Sequence, residues 1–226
     1  MKVLITICAR AGSKRLPGKN VKKFHGKSLI QWTIDQAIEF QRSWDCDVVV
    51  CTDIDQIFYD VLALGRPDEL NGDDVPKLDV IRYALRQTEI KENPYDVVID
   101  LDVTNPCRTA YDISNATHQF ERSDIPTLIS VVPARRRPGF NMVFSMGGRT
   151  YLAADSRLDT LNEFYDLNAA IYIYSSDWLA KGKIHPVEFN SGIYIMEPWQ
   201  AFDIDTQVDW EIAELMFEKY LLNERK

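Results

Sequence analysis

Apolar residues fall along this chain in two rhythms: short solid runs, and longer stretches with an apolar position every third or fourth residue. The solid runs are Val3-Leu4-Ile5, Asp47-Val48-Val49-Val50-Cys51-Thr52, Val97-Val98-Ile99-Asp100-Leu101-Asp102, Leu128-Ile129-Ser130-Val131-Val132, Asn168-Ala169-Ala170-Ile171-Tyr172-Ile173-Tyr174 and Ser191-Gly192-Ile193-Tyr194-Ile195-Met196. Most are rich in β-branched residues and bounded by polar ones, which predicts buried strands. The spaced stretches predict helices. One covers about 28–41, opened by Lys27 or Ser28, with Leu29, Ile30, Thr33, Ile34, Ala37 and Ile38 on one face. A second covers about 56–64, capped by Asp53 or Asp55. A third, near 77–88, turns Val80, Ile81, Ala84 and Leu85 inward. A fourth carries Ile113, Ala116, Thr117 and Phe120. The last starts at the capping pair Thr206 and Asp209 and runs to about Leu222, with Ile212, Leu215, Met216 and Tyr220 on its inner face. Strand followed by helix, repeated, predicts an α/β fold: an open, mostly parallel, twisted sheet with right-handed crossovers and helices on both faces.

The rhythm breaks at Pro133. Ala134-Arg135-Arg136-Arg137-Pro138-Gly139 is basic and turn-rich, and two short β-like runs then flank Gly147-Gly148, a hairpin signal. Residues 133–167 therefore read as an excursion from the main sheet. There is no internal repeat, low-complexity tract or linker, so residues 1–226 read as one domain.

Composition narrows the partners. The net charge of −8 argues against nucleic acid, which calls for a basic face. It leaves room for a nucleotide, because a few local cations with backbone N–H groups suffice for one triphosphate. The four cysteines, Cys8, Cys46, Cys51 and Cys107, form no C-x-x-C pair, and His25, His118 and His185 are the only histidines, so neither a zinc site nor a disulfide framework is expected. No apolar stretch has the pattern of a signal peptide or the length of a membrane span. A reducing cytoplasm is the expected setting, with no membrane partner.

Three segments carry candidate chemistry, each where a strand ends or a helix begins. In open α/β sheets ligands collect beyond the carboxyl ends of the strands. The first segment is the loop after the opening strand, Ala9-Arg10-Ala11-Gly12-Ser13-Lys14-Arg15-Leu16-Pro17-Gly18-Lys19-Asn20. Its cations Arg10, Lys14 and Lys19 sit among glycines that let backbone N–H groups approach a ligand, a mouth for a polyphosphate. It is not a Walker A loop, since five residues separate Gly12 from Gly18 and Asn20 follows Lys19. The dinucleotide fingerprint is also missing. The other two segments, Asp100-Leu101-Asp102 and Asp203-Ile204-Asp205, place carboxylates at i and i+2, on one face of extended backbone. Such pairs at a phosphate site suit Mg²⁺, a hard cation that takes one or two carboxylates plus phosphate oxygens. Asp102 is the better candidate of its pair, nearer the end of the strand. Asp203 and Asp205 could instead serve the N-terminus of the last helix.

The loop resembles the signature A-R-x-G-S-K-G-L-P-x-K-N of the sugar-activating cytidylyltransferases, with Arg15 in place of the usual Gly. The resemblance continues through Gly26-Lys27-Ser28-Leu29-Ile30, Thr52-Asp53, Arg66-Pro67-Asp68-Glu69-Leu70, Thr104-Asn105-Pro106-Cys107-Arg108, Tyr165-Asp166-Leu167-Asn168-Ala169-Ala170-Ile171-Tyr172 and Asp203-Ile204-Asp205-Thr206, nearly the full length. The whole is similar to the acylneuraminate cytidylyltransferases. Leu101-Asp102-Val103-Thr104-Asn105-Pro106 and Val132-Pro133-Ala134-Arg135-Arg136-Arg137-Pro138-Gly139-Phe140-Asn141 most resemble the branch that activates legionaminic acid.

That resemblance implies a Rossmann-like nucleotidyltransferase fold and a reaction in which CTP and a nine-carbon 2-keto sugar acid give a CMP-sugar and pyrophosphate. It implies that Arg10, Lys14 and Lys19 hold the triphosphate, with Ala9, Ala11, Gly12 and Ser13 lining it. It puts Mg²⁺, or Mn²⁺, on Asp205 with Asp203 or Asp102. It places Arg66, Lys77 and Asp102 near the nucleotide, and Thr104, Tyr165 and Asn168 near the sugar. Arg157 is a candidate for the sugar carboxylate, or else a surface arginine. The excursion at 133–167 is implied to be a homodimer contact through Phe140, Met142, Val143 and Phe144, or else a hairpin folded on its own domain. Departures accompany the likeness: the segment from Asp53 to Arg66 is short, Lys77 stands where Ser is usual, and Leu158-Asp159-Thr160-Leu161 replaces the pattern after Arg157. Two other functions fit an Asp-x-Asp site in an α/β fold: a glycosyltransferase gripping a nucleotide-sugar, and a nucleotide-binding subunit without turnover.

Overall fold

The computed structural model describes residues 1–55, 60–72, 74–89, 93–154, 163–183 and 185–223. The opening apolar run lengthens into β1 (Val3–Ala9). A two-residue hairpin, β2 (Lys23–Phe24) and β3 (Lys27–Ser28), leads into α1 (Leu29–Gln41), whose first turn is capped by the Ser28 hydroxyl. Then come β4 (Cys46–Thr52), β5 (Leu62–Gly65), α2 (Lys77–Thr88), β6 (Val97–Leu101), α3 (Ala110–Glu121) and β7 (Thr127–Pro133). A hairpin of β8 (Val143–Met146) and β9 (Arg149–Leu152) turns at Gly147 and Gly148, with φ of 59° and 73°. Glycine takes both positive-φ positions without strain, which permits the tight turn. β10 (Tyr165–Ser175), α4 (Ser176–Ala180), β11 (Gly192–Ile195) and α5 (Gln207–Phe217) complete the chain, and α5 continues in a π-helical turn over Glu218–Leu222.

Seven strands form one sheet in the order β11-β7-β10-β6-β1-β4-β5. The pairs β1–β4, β1–β6, β4–β5 and β7–β11 are parallel, and β10 alone runs antiparallel to both its neighbours, β6 and β7. The period of two along β1 sorts its side chains between two cores. Val3, Ile5, Ile7 and Ala9 join α1, α3 and α5 on one face. Leu4 joins α2 and α4 on the other. Helices on both faces, as predicted, hold β1, β4 and β6 in the middle and bring their carboxyl ends to one rim.

Two local expectations are corrected. Part of the helix expected over 56–64 lies outside the described residues, and its last third is strand β5, paired Val49 to Leu62 through Thr52 to Gly65. Val61-Leu62-Ala63-Leu64 is too short to distinguish helix from strand by period, and pairing with the edge of β4 decides it. On the last helix the buried stripe is Trp210, Ala213 and Phe217, while Leu215 is 65% exposed. The small Ala213 hides the true phase of the stripe.

The excursion leaves the sheet at Pro133 and returns at Tyr165, which pair with each other across β7 and β10. Past this point β10 carries a register shift between Leu167 and Tyr172, with Ala169 at φ 49°. The Ser130 hydroxyl fills the interrupted ladder: it accepts from the Ile171 N–H at 2.8 Å and donates to Asn168 Oδ1 at 2.7 Å.

Candidate active site

The cationic loop hangs from the end of β1 and is braced from within. Ala11 N–H donates to Asp53 Oδ1 at 2.7 Å, and Asn20 Nδ2 donates to the Arg10 carbonyl at 2.9 Å. Gly18, at φ 68°, lets the chain turn back so that Lys19 points under the loop. Lys19 is buried, and its ammonium donates to the Ile204 carbonyl at 2.5 Å and to Asp205 Oδ1 at 3.0 Å. Arg15 Nη1 meets the other oxygen of Asp205 at 2.6 Å. Residues 185 positions apart and more are thus joined in one cluster.

The acidic segment before α5 is tied to the end of β6 by backbone: Ile204 N–H donates to the Thr104 carbonyl at 2.8 Å. The Thr104 hydroxyl donates to Asp102 Oδ1 at 3.3 Å and also lies against Asp203. Burial raises the pKa of Asp203, and the charges of Asp102 and Asp205 add to the rise. Its Oδ1 is buried and has no hydrogen-bond partner. Lys77, the first residue of α2, places its ammonium 2.6 Å from Asp100 Oδ2 and 2.7 Å from Asp102 Oδ2. The first of these contacts is an ion pair without aligned hydrogen-bond geometry. Burial holds Asp100 above the usual carboxylate range in spite of Lys77. Burial pushes Asp102 the same way, but there the Lys77 ammonium prevails and its pKa is lowered.

Beneath these carboxylates lies Arg108, wholly buried, with Nη1 donating to the carbonyls of Asp102 (2.6 Å), Asn105 (2.9 Å) and Ala170 (3.3 Å). Burial lowers its pKa to about 10. The guanidinium fixes the turn after β6 through its backbone, and so fixes the direction of Asp102.

Lys19, Lys77, Asp102, Thr104 and Asp205 line a cavity of about 450 Å³ at the carboxyl rim of the sheet, and Asp100, Asp203 and Arg108 lie behind its wall without lining it. It brings together the predicted residues Arg10, Ser13, Lys14, Lys19, Arg66, Lys77, Asp102, Thr104 and Asp205. Arg15 and Asn20 also line it. Ala9 ends β1, and Ala11 and Gly12 are exposed in the loop without lining the cavity. Arg66 is held by its own loop, Nε donating to the Leu70 carbonyl at 2.6 Å. A second cavity, of about 210 Å³, shares Lys77 and Asp102 as a wall and is otherwise lined by Pro76, Leu78, Ile81, Tyr172, Tyr174 and Pro186.

The residues expected near the sugar do not gather as a set. Asn168 is wholly buried, with its side chain bonded to Ser130 and the Gln200 carbonyl, so it pins the bulge of β10 and faces no cavity. Tyr165 lines neither cavity, and its hydroxyl donates to Glu163 at 2.5 Å. Arg157 lies outside the described residues. Tyr172 was not foreseen. It stands directly opposite Asp100 across β10 and β6, a pairing that depends on β10 entering the sheet antiparallel, for which the sequence holds no local signal. Asp100 belongs to the pair that the i, i+2 spacing singled out, and that spacing does bring both carboxylates to Lys77.

The comparisons agree with this geometry. The sequence profile of the family described as "Cytidylyltransferase" matches residues 4–183. The chain is 33% identical to "Post-translational flagellin modification protein B" of Campylobacter coli, covering 96% of each. It is 34% identical to the "CMP-N,N'-diacetyllegionaminic acid synthase" of Campylobacter jejuni, covering 95% of this chain and 94% of that protein. In fold it is similar to the CMP:2-keto-3-deoxy-manno-octonic acid synthetase solved with CTP, with a TM-score of 0.71, 18% identity and coverage of 98% of this chain and 100% of that one. A profile match over most of the length, on a sheet whose rim gathers the loop cations and the late carboxylates, establishes that the chain belongs to the cytidylyltransferase family.

Proposed function

We propose that this protein transfers CMP from CTP to the anomeric hydroxyl of a nine-carbon 2-keto sugar acid of the legionaminic or sialic type, with release of pyrophosphate. The observation that carries the reading is the meeting of Lys19 and Asp205 in one cavity beside Arg10 and Lys14. The named relative from Campylobacter jejuni supports the sugar class. The new bond joins the anomeric oxygen to the α-phosphorus, and the α–β bridging bond breaks with its electrons leaving on pyrophosphate. Transfer of this kind is driven by positioning and by neutralising charge. Arg10, Lys14 and Lys19 bind the triphosphate and stabilise the charge that builds on the departing pyrophosphate. Arg66 borders the same cavity from the nucleoside side. Thr104 is the member of the expected sugar set that lines this cavity, and Tyr172 joins it from the adjoining one.

The acidic rim fits a divalent cation. Its donors are hard oxygens; Asp203 Oδ1 is buried without a hydrogen-bond partner, while the two oxygens of Asp205 carry ion pairs to Lys19 and Arg15 that the ion would share or displace. Asp203 and Asp205, with Asp102 beside them, would hold Mg²⁺. Such an ion would supply charge neutralisation at the phosphates and favour ionisation of the attacking hydroxyl. The exposed apolar side chains of the excursion, Phe140, Met142, Val143, Phe144 and Met146, support a homodimer contact. The four cysteines are unpaired, which suits a reducing cytoplasm, and no described helix is long and apolar enough to cross a membrane.

The test is pyrophosphate release from CTP and Mg²⁺ with a panel of legionaminic, sialic, pseudaminic and ketodeoxyoctulosonic acids. Turnover is expected with legionaminic or sialic acid. Binding of CTP without turnover on any acid would leave a nucleotide-binding subunit instead.

A further inference from the structure

One face of the sheet is bare at its β7–β11 end. Leu128 and Val132 of β7 turn into the core shared with α1, α3 and α5, so Ile129 and Val131 turn to the other face. The strand register sets two rows there, Ile193–Ile129–Tyr172 and Ile195–Val131–Leu167. Among the described residues, the apolar cluster under α2 and α4 takes none from β7 or β11. The flanks of the rows therefore meet solvent: Ile193 is 37%, Ile195 51% and Leu167 53% exposed. Glu197 follows two residues beyond Ile195 in extended backbone, which puts it on the same side. It is exposed, and its carboxylate also accepts from the Gln200 N–H.

The hairpin of the excursion has a side of matching character. Phe144 stands opposite Tyr151 and Met146 opposite Arg149, and residues directly opposite in an antiparallel pair share a side. Phe144, Met146, Tyr151 and Arg149 therefore form one side, with the Phe144 and Tyr151 rings stacked at 5.3 Å. Every residue of β8 and β9 is exposed, so the hairpin's own chain does not cover this side. An apolar side that ends in a cation thus complements an apolar face that ends in a carboxylate. We infer that this side of one copy's hairpin docks on the bare β7–β11 face of a second copy, with Phe144, Met146 and Tyr151 against Leu167, Ile193 and Ile195, and Arg149 towards Glu197. A two-fold axis makes the exchange reciprocal, so the pair makes two such contacts and closes. The row Ile193–Ile129–Tyr172 runs on to Asp100, so the seat borders the smaller cavity. The inference rests on the homodimer proposed above and adds the surface that receives the hairpin.

The experiment is sedimentation velocity of the full chain over a concentration series, with circular dichroism to confirm the fold of each variant. Phe144→Asp, on the hairpin, and Ile195→Asp, on the face, should each raise the dimer dissociation constant at least about thirtyfold, the scale of a hot-spot residue. Mixed one to one, the two variants should recover dimer. A mixed pair keeps one intact hairpin on one intact face, whereas neither variant alone can form an intact contact. Leu167→Asp repeats the test from β10 should Ile195→Asp fail to fold. A face variant that dimerises as tightly as wild type, or a mixture no more dimeric than its components, overturns the inference and leaves a homodimer of another kind. A monomeric wild type removes the homodimer and this inference together.

Discussion

Lys19 and Asp205 show how much one contact can organise. Lys19 is held under its loop by two acceptors, one of them the Ile204 carbonyl, so its ammonium is fixed before any ligand binds. Fixed charge is the form of electrostatic stabilisation that requires no rearrangement during reaction. Lys19→Ala and Asp205→Ala should each lower kcat at least about a hundredfold, the scale of losing one transition-state partner. The pyrophosphate assay with saturating CTP checks this, and near-normal turnover in either variant would remove its assigned role. At this scale the loop was open to reading from the residues alone, since glycine, proline and lysine constrain the backbone and the charge locally. Asn168 was not. Its buried place depends on Ser130 and Gln200, which reach it only after the sheet is assembled.

Among the elements, α5 bears on the site through its start, because Asp205 immediately precedes its cap. The Thr206 hydroxyl accepts from Asp209 N–H, and Asp209 Oδ2 accepts from the backbone N–H of Thr206 at 2.7 Å and of Asp205 at 3.2 Å. Burial opposes ionisation of Asp209, but these hydrogen bonds outweigh it and lower its pKa. A carboxylate whose folded pKa is below its unfolded value adds stability above the unfolded pKa and loses it as pH falls through the folded one. Asp209→Asn should therefore destabilise the protein by about 1 kcal/mol at neutral pH. The gap to wild type should close as the pH falls through and below the ordinary aspartate range, as read from urea denaturation at several pH values. Capping boxes are visible in sequence because both partners lie three residues apart. The strand β5 and the buried phase of α5 were hidden for the opposite reason. Leu62-Ala63-Leu64 suits either helix or strand locally, and only the free edge of β4 selects between them.

For the molecule as a whole, the order of alternating elements sufficed to foresee a mostly parallel sheet with helices on both faces, because crossover connections allow few other arrangements. The position of β10 could not be foreseen, since it reverses direction between two strands made much earlier in the chain. The excursion between β7 and β10 keeps its apolar side chains outward, Phe140 being 77% and Met146 65% exposed. This is the surface that the proposed homodimer would cover. Val143→Asp with Met146→Asp should convert a dimer to a monomer in sedimentation velocity without loss of secondary structure by circular dichroism. A wild-type protein that sediments as a monomer would remove the dimer.

The late arrival of β10 has a consequence for how the protein comes into being. A ribosome releases β1, with its cationic loop, before β6 and β7, and these two stay apart until β10 has emerged to fill the gap between them. Asp205 emerges later still. Until then the cationic loop lacks the carboxylate that engages Lys19 and Arg15. The cavity can close only after Asp205 has emerged, a delay characteristic of folds built on distant pairings.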